Sequence, residues 1–211
     1  MEALFNQCRR LLRMTSLNYT RSIIHQIHWN QRLVSIRGAR GVGKTTLLLQ
    51  YIKQTYGNAP KEAIYVSLDN LYFSRHTFLD FVDEFYKMGG KHIFADEVHK
   101  YEGWSQELKN AYDAYPDMHF VITGSSVLNI LNSDADLSRR CINYNMQGLS
   151  FREYLLLCEG IAFAPVDLPS LLLSPDMLCT AVNEKCRPLA YFDKYLKTGY
   201  YPFVLEGEED Y

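Results

Sequence analysis

Two short stretches of this 211-residue chain carry residue types that could do chemistry together. The first is Gly38-Ala39-Arg40-Gly41-Val42-Gly43-Lys44-Thr45, which satisfies the Walker A pattern GxxxxGK[ST] at every defined position. Its glycines allow a tight turn whose backbone N–H groups point inward at phosphate oxygens. Lys44 brings a point charge to β- and γ-phosphates, and the Thr45 hydroxyl suits a Mg²⁺ ion. A helix opening directly after the turn adds the positive end of its dipole. The second stretch is Ile93-Phe94-Ala95-Asp96-Glu97, an apolar run ending in two carboxylates, as a Walker B segment does. Asp96 suits the Mg²⁺ shell, directly or through a water, and Glu97 suits orienting or deprotonating an attacking water.

Two further places could complete such a site. Phe120 to Thr123 is an apolar run followed by Gly124-Ser125-Ser126. Thr123 is read as a contact to the γ-phosphate or the attacking water, and Ser125 stays open between that role and a plain helix cap. Arg139-Arg140 could place a guanidinium on the γ-phosphate of the same chain or of a neighbouring copy, or form a solvated pair.

These residues need elements to position them. Leu33 to Ile36 is a short apolar run before the glycine turn, and Thr45 to Tyr56 has helical periodicity stopped by Gly57. Strand patterns recur at Ala63–Leu68, His92–Ala95, His119–Thr123 and Ile142–Met146. Helix patterns alternate with them at Thr77–Met88 and Trp104–Tyr115. The alternation predicts an α/β fold, a P-loop NTPase three-layer sandwich with a mainly parallel five-stranded sheet, followed by a helical C-terminal segment. Before it, Leu4, Cys8, Leu11 and Leu12 share one helical face, and Ile23, Ile24 and Ile27 suggest a second helix. Ser150-Phe151-Arg152-Glu153 is a capping box opening a helix to Glu159. Residues 160 to 176 read as a proline-bearing loop, with helices near 176–183 and 189–197. The expected division is 1–30 as N-terminal helices packed on the core, 31–155 as the P-loop core, and 156–211 as a helical lid or the start of a truncated C-terminal domain.

Composition narrows the classes. With 47% hydrophobic and 22% charged residues the chain is an ordinary globular one, and no uninterrupted apolar run reaches membrane-spanning length. The formal net charge of −2 supplies no global positive field for nucleic acid, and Arg9, Arg10 and Arg13 read as a solvated helix face. Five cysteines without a CxxC spacing read as reduced, mostly core residues in a cytoplasmic protein, with no zinc site. The scattered histidines suggest no metal ligation, and His99 reads as turn-exposed.

Gly38 through Thr46, Asp96 to Lys100, Ile122 to Ser126 and Leu137 to Arg140 resemble successive segments of the nucleotide site of AAA+-type ATPases. More narrowly, the set is similar to a large family of predicted AAA+ ATPases of bacteria and archaea, as is Gly148-Leu149-Ser150-Phe151-Arg152-Glu153-Tyr154. The resemblance implies ATP and Mg²⁺ as cofactors and a phosphate loop from Gly38, Ala39, Arg40, Gly41, Val42, Gly43, Lys44 and Thr45 to Thr46. It implies Mg²⁺ coordination by Thr45 and Asp96, a catalytic Glu97, a sensor at Thr123 or Ser125, and an arginine contact from Arg139 or Arg140. It places the first strand between the Thr123 strand and the last one. It implies ATP hydrolysis coupled to movement of a partner, possible homo-oligomers, and a protein or DNA partner engaged through a C-terminal domain beyond Tyr211. No membrane partner is implied. The other reading is a slow-hydrolysing nucleotide-gated switch or scaffold in signalling or defence. A small-molecule kinase fits less well, because Glu97 beside Asp96 activates water rather than excluding it.

Overall fold

A computed structural model describes residues 1–124 and 139–202. It divides into two compact units, Met1–Met146 and Gln147–Tyr211.

The first unit is built on a five-stranded sheet: β1 Leu33–Arg37, β2 Ala63–Ser67, β3 His92–Asp96, β4 His119–Gly124 and β5 Ile142–Asn145. Their order is β2-β3-β4-β1-β5, and every pairing is parallel. The first strand therefore lies between the Thr123 strand and the last one, as the resemblance implied. β1 to β4 are apolar runs buried on both faces, the pattern of parallel strands covered by helices on both sides. β5 alternates half-buried and exposed residues and forms an edge. All strands run the same way, so their C-terminal ends share one rim. Arg37 and Asp96 end their strands there and Thr123 is the next-to-last residue of β4, where open α/β sheets place ligands.

Helices α1 Glu2–Met14, α2 Lys44–Tyr56, α3 Phe78–Lys87 and α4 Trp104–Ala114 belong to the same unit. α1 buries Leu4, Cys8 and Leu12, and Phe5 tilts against Phe85 of α3. α3 starts where the Thr77 hydroxyl accepts from the Asp80 N–H. Its inner face is aromatic: Phe81 stacks with Phe78 and Phe85 at 6.1 and 6.2 Å and meets Phe73 edge-on at 5.6 Å. These rings are core rather than a base-stacking platform, since all four are buried.

Three expectations are corrected. The second N-terminal helix is a single 3-10 turn, Ser22–His25. Arg21 before it is extended, and the Trp29 indole donates to the Ile24 carbonyl 2.9 Å away, closing the segment before it can propagate. Residues 160–176 are not all loop, because Leu168–Leu173 is helical. Asp167 accepts from the Ser170 N–H at its start, and Pro169 sits in the first turn, where a missing N–H costs nothing. The cysteines are not mostly core: Cys8 and Cys186 are buried, Cys141 and Cys158 half-buried, and Cys179 exposed.

The second unit holds α5 Phe151–Glu159, α6 Leu168–Leu173, α7 Pro175–Lys185 and α8 Pro188–Thr198. α5 opens with the expected capping box, in which Ser150 and Glu153 satisfy each other's backbone N–H groups. The late aromatic residues pack on it: Phe192 and Tyr195 lie 5.2 and 5.4 Å from the Phe151 ring. The Tyr195 hydroxyl donates to the Leu149 carbonyl, whose own N–H reaches the Tyr200 carbonyl. Among the described residues, no helix is long and apolar enough to cross a membrane, and no group of three His, Cys, Asp or Glu side chains is placed to hold a metal ion.

Phe81 touches rings on three sides and is fully buried. Phe81→Ala should lower unfolding free energy by about 3–5 kcal/mol. Urea denaturation followed by circular dichroism measures this, and a loss under about 1 kcal/mol would show that the ring cluster is not a packed core.

Candidate nucleotide site

The glycine turn runs from the end of β1 to the start of α2. Gly41 and Gly43 have φ of +85° and +96°, a left-handed backbone open to glycine. Gly38 meets a different constraint: a Cβ there would lie 2.3 Å from the Met146 carbonyl oxygen. That closeness follows from the Met146 N–H donating to the Arg37 carbonyl at 2.6 Å where β5 ends beside β1. Ala39 is half-buried and Val42 buried, while Arg40, Gly41, Thr45 and Thr46 lie on the exposed rim.

Lys44 is buried, and its Nζ donates to the Gly38 and Ala39 carbonyls, both at 2.9 Å, so the side chain folds back across the turn. Burial lowers its pKa, and the Glu97 and Asp96 carboxylates oppose that shift. The ammonium is thus held within the turn by these two carbonyls.

Asp96 is the junction of the site. It is 2% exposed. Thr45 Oγ1 donates to its Oδ2 at 2.5 Å, and the Tyr65 hydroxyl donates to the same oxygen at 2.9 Å. Thr123 Oγ1 donates to Oδ1, which also accepts the Glu97 N–H at 3.0 Å. Register explains the convergence. Ser67 pairs with Asp96 and Ala95 with Ile122, so Thr123 comes level with Asp96, and Tyr65, two residues before Ser67, projects to the same face.

Glu97 has φ 52° and ψ 39°, the left-handed region, and is the one non-glycine residue with positive φ among those described. Such a conformation is costly for a residue with a Cβ and recurs where a side chain must be aimed. Its N–H also reaches Thr123 Oγ1 at 3.3 Å. Its Oε2 lies 3.4 Å from His99 Nε2. His99 is therefore not turn-exposed as expected: the 3-10 turn Val98–Lys100 folds the imidazole back, leaving its side chain 17% exposed.

The structure brings Lys44, Thr45, Asp96, Glu97 and Thr123 together and leaves Arg140 elsewhere. Ile142 pairs with Val34, so Arg140 precedes β5 at the N-terminal rim of the sheet. Gly38 lies about six strand residues, roughly 20 Å, further along, beyond the reach of an arginine side chain. Arg140 instead pairs with Asp113, and its guanidinium lies 5.6 Å from the Tyr112 ring centre. Arg139 is exposed beside it. Ser125 lies outside the described residues, as do Ser126, Leu137 and Ser138.

Two residues of the site carry no motif. Tyr65 is one. The other is Arg21, buried, whose Nη1 donates to the Val42 carbonyl at 2.8 Å and braces the turn from behind. Arg21 sits among polar residues, Asn18 to Ser22, and nothing in its sequence context marked it. Tyr65 had only its strand parity.

Residues 30–155 match a family model described as an AAA domain. The chain belongs to that family. The chain has a relative in Methanocaldococcus jannaschii, the uncharacterized protein MJ1637, at 30% identity over 191 residues. That match covers 85% of this chain and 40% of the relative, so the chain spans about two fifths of the protein it matches. Solved structures similar to it include the S. cerevisiae Hsp104–ADP complex, at TM-score 0.48 and 16% identity, covering 75% of this chain and 23% of that one. AMPPCP-bound DnaA from Aquifex aeolicus matches at 0.46 and 16%, covering 89% and 59%. C. elegans PCH-2 matches at 0.45 and 15%, covering 75% and 45%.

Burial and the neighbouring Asp96 raise the Tyr65 pKa, so the phenol stays protonated and stays a donor. Tyr65→Phe keeps the ring and removes only the hydrogen bond to a buried carboxylate. Stability should fall by about 1.5–3 kcal/mol, the usual range for a bond to a charged group. An unchanged urea midpoint would mean that the Thr45, Thr123 and Glu97 donors alone satisfy Asp96.

Proposed function

We propose that this AAA domain binds ATP with Mg²⁺ and hydrolyses it to ADP and phosphate, turning the cycle into a conformational change on a partner. The observation that carries the reading is the 2.5 Å hydrogen bond joining Thr45, at the start of α2, to Asp96, with Glu97 adjacent. It sets a phosphate cradle and two carboxylates at one point. The donors there are hard oxygens, a hydroxyl and a carboxylate, as Mg²⁺ prefers. Thr45 and Asp96 would hold the ion. When bound, Mg²⁺ neutralises charge on the β- and γ-phosphate oxygens.

In this mechanism the N–H groups of the turn and the helix N-terminus hold the phosphates. Lys44 leaves the Gly38 and Ala39 carbonyls for phosphate oxygens, exchanging two neutral acceptors for charged ones. Glu97 accepts a proton from the attacking water as its oxygen bonds to the γ-phosphorus and the bond to the β-phosphate oxygen breaks. Thr123 serves as a positioning residue through Asp96 and the Glu97 N–H rather than by touching phosphate. The exposed Arg40 and Thr46 complete the outer rim of the nucleotide-binding turn.

Lys44→Ala should abolish binding of a fluorescent ATP analogue at micromolar concentration. Glu97→Gln should retain it while lowering kcat about 10²–10⁴-fold, the range for a general base. Normal turnover by Glu97→Gln would sink its assignment.

The slow switch is favoured by one feature, the distance of Arg140 from its own phosphate turn. A lone chain then has no arginine from this pair to stabilise transferred charge, and Arg139 or Arg140 would act only on the site of a neighbouring copy. Specific ATPase activity should rise with protein concentration and lose that rise in Arg140→Ala. A flat profile would leave the pair structural and the chain a slow, self-contained switch.

A further inference from the structure

The net charge of −2 hides a steep asymmetry. Residues 1–60 contain nine lysines and arginines and one acidic residue, Glu2, while the remainder contains thirteen against twenty-three. Part of that excess serves the nucleotide turn, through Arg21 and Lys44. Another part is gathered on α1. Arg9, Arg10 and Arg13 are exposed and, with Asn6 and Met14, line an open hollow of about 360 Å³. Their spacing places all three on the outward side of the helix, opposite Leu4, Cys8 and Leu12.

Several surface cations elsewhere are paired with carboxylates. Lys87 pairs with Asp83, Lys91 with Glu62, Lys197 with Asp193 and Arg140 with Asp113. Among the described residues no carboxylate pairs with Arg9, Arg10 or Arg13, and the one hydrogen bond their side chains make is from Arg9 Nε to the Phe5 carbonyl at 3.4 Å. Three guanidiniums therefore stand ready on one fixed frame. α1 cannot roll to change what it presents: Cys8 Sγ receives the Tyr65 N–H, and Gln7 accepts from the Asn70 amide at 2.8 Å. With its apolar face buried, the helix has nothing to insert into a bilayer.

We propose that the outward face of α1 binds the phosphate backbone of duplex DNA without reading its sequence. Guanidiniums match phosphate oxygens in fork geometry, and three of them on a rigid helix fit a line of phosphates. The exposed face carries no aromatic ring, so it lacks the stacking platform by which proteins hold single strands. It also lacks the aromatic anchor around which protein interfaces form, leaving Met14 as its one large apolar side chain.

The test is fluorescence anisotropy of a labelled 20-base-pair duplex of arbitrary sequence titrated with the full chain across salt concentrations. Three phosphate contacts give a slope of about −2.7 in log K against log salt, or roughly a 40-fold loss of affinity from 50 to 200 mM. Replacing all three with alanine should remove that slope while leaving binding of a fluorescent ATP analogue unchanged. Replacing them with lysine keeps the charge and should keep the slope. Equal binding by wild type and the alanine variant would overturn the proposal. A single strand binding as tightly as the duplex would overturn the duplex assignment. Binding of polyglutamate with no binding of the duplex would make the face a protein contact instead.

Discussion

The carboxylate of Asp96 is the point on which this structure converges. It is almost fully buried yet accepts three hydroxyl protons and a backbone N–H, from β2, β4, the head of α2 and its own next residue. A buried carboxylate without those donors would cost several kcal/mol. The donors must therefore arrive together, and the sheet delivers them. Parallel pairing in the order β2-β3-β4-β1-β5 sets Tyr65 and Thr123 on either side of the β3 terminus, and the crossover from β1 brings Thr45 over it. A register slip of one residue would turn Asp96 to the other face and leave all of these groups unpartnered.

The phosphate turn is held by a second, complementary arrangement. Lys44 fills the turn from inside, Arg21 grips Val42 from outside, and the Met146 carbonyl closes on Gly38 from β5. Each contact comes from a different stretch of sequence. A loop braced on three sides by separate stretches of the chain is held in one conformation. The strained Glu97 backbone belongs to the same design. It sits where β3 must stop and its side chain must turn out toward the rim, and the hydrogen bonds of its N–H to Asp96 and Thr123 hold it there.

The sheet, the turn and the acidic pair were legible in the sequence because each is local. The apolar runs of β1 to β4, the glycines around Lys44 and the Ser150–Glu153 capping box declare themselves over a few residues. What could not be read depends on contacts distant in the chain. Arg21 and Val42 are 21 residues apart, and Tyr65 and Asp96 are 31 apart. His99 follows its carboxylate so closely that the sequence predicts an exposed turn, whereas the 3-10 geometry of Val98–Lys100 returns it to Glu97. The Ile23–Ile27 pattern was apolar enough for a helix and is indeed buried at Ile24 and Ile27, but the Trp29 indole closes it after one turn. Arg140 shows the limit of adjacency: it precedes a strand that borders β1, yet a parallel sheet sends the start of β5 and the end of β1 to opposite rims.

The N-terminal segment is bound to the nucleotide turn more closely than its place in the sequence suggests. α2, whose first residue is Lys44, sends the Gln50 amide to the Ser16 and Tyr19 carbonyls and the Lys53 ammonium to the Thr15 carbonyl. That pins the linker between α1 and Arg21 along the flank of the helix that opens on the turn. Arg21 then closes the circuit at Val42. The segment is therefore tied to the middle and later part of α2 and, through Arg21, to the glycine turn before it. Gln50 and Arg21 are the buried donors on this path, so displacing either link costs a buried group a hydrogen-bond partner.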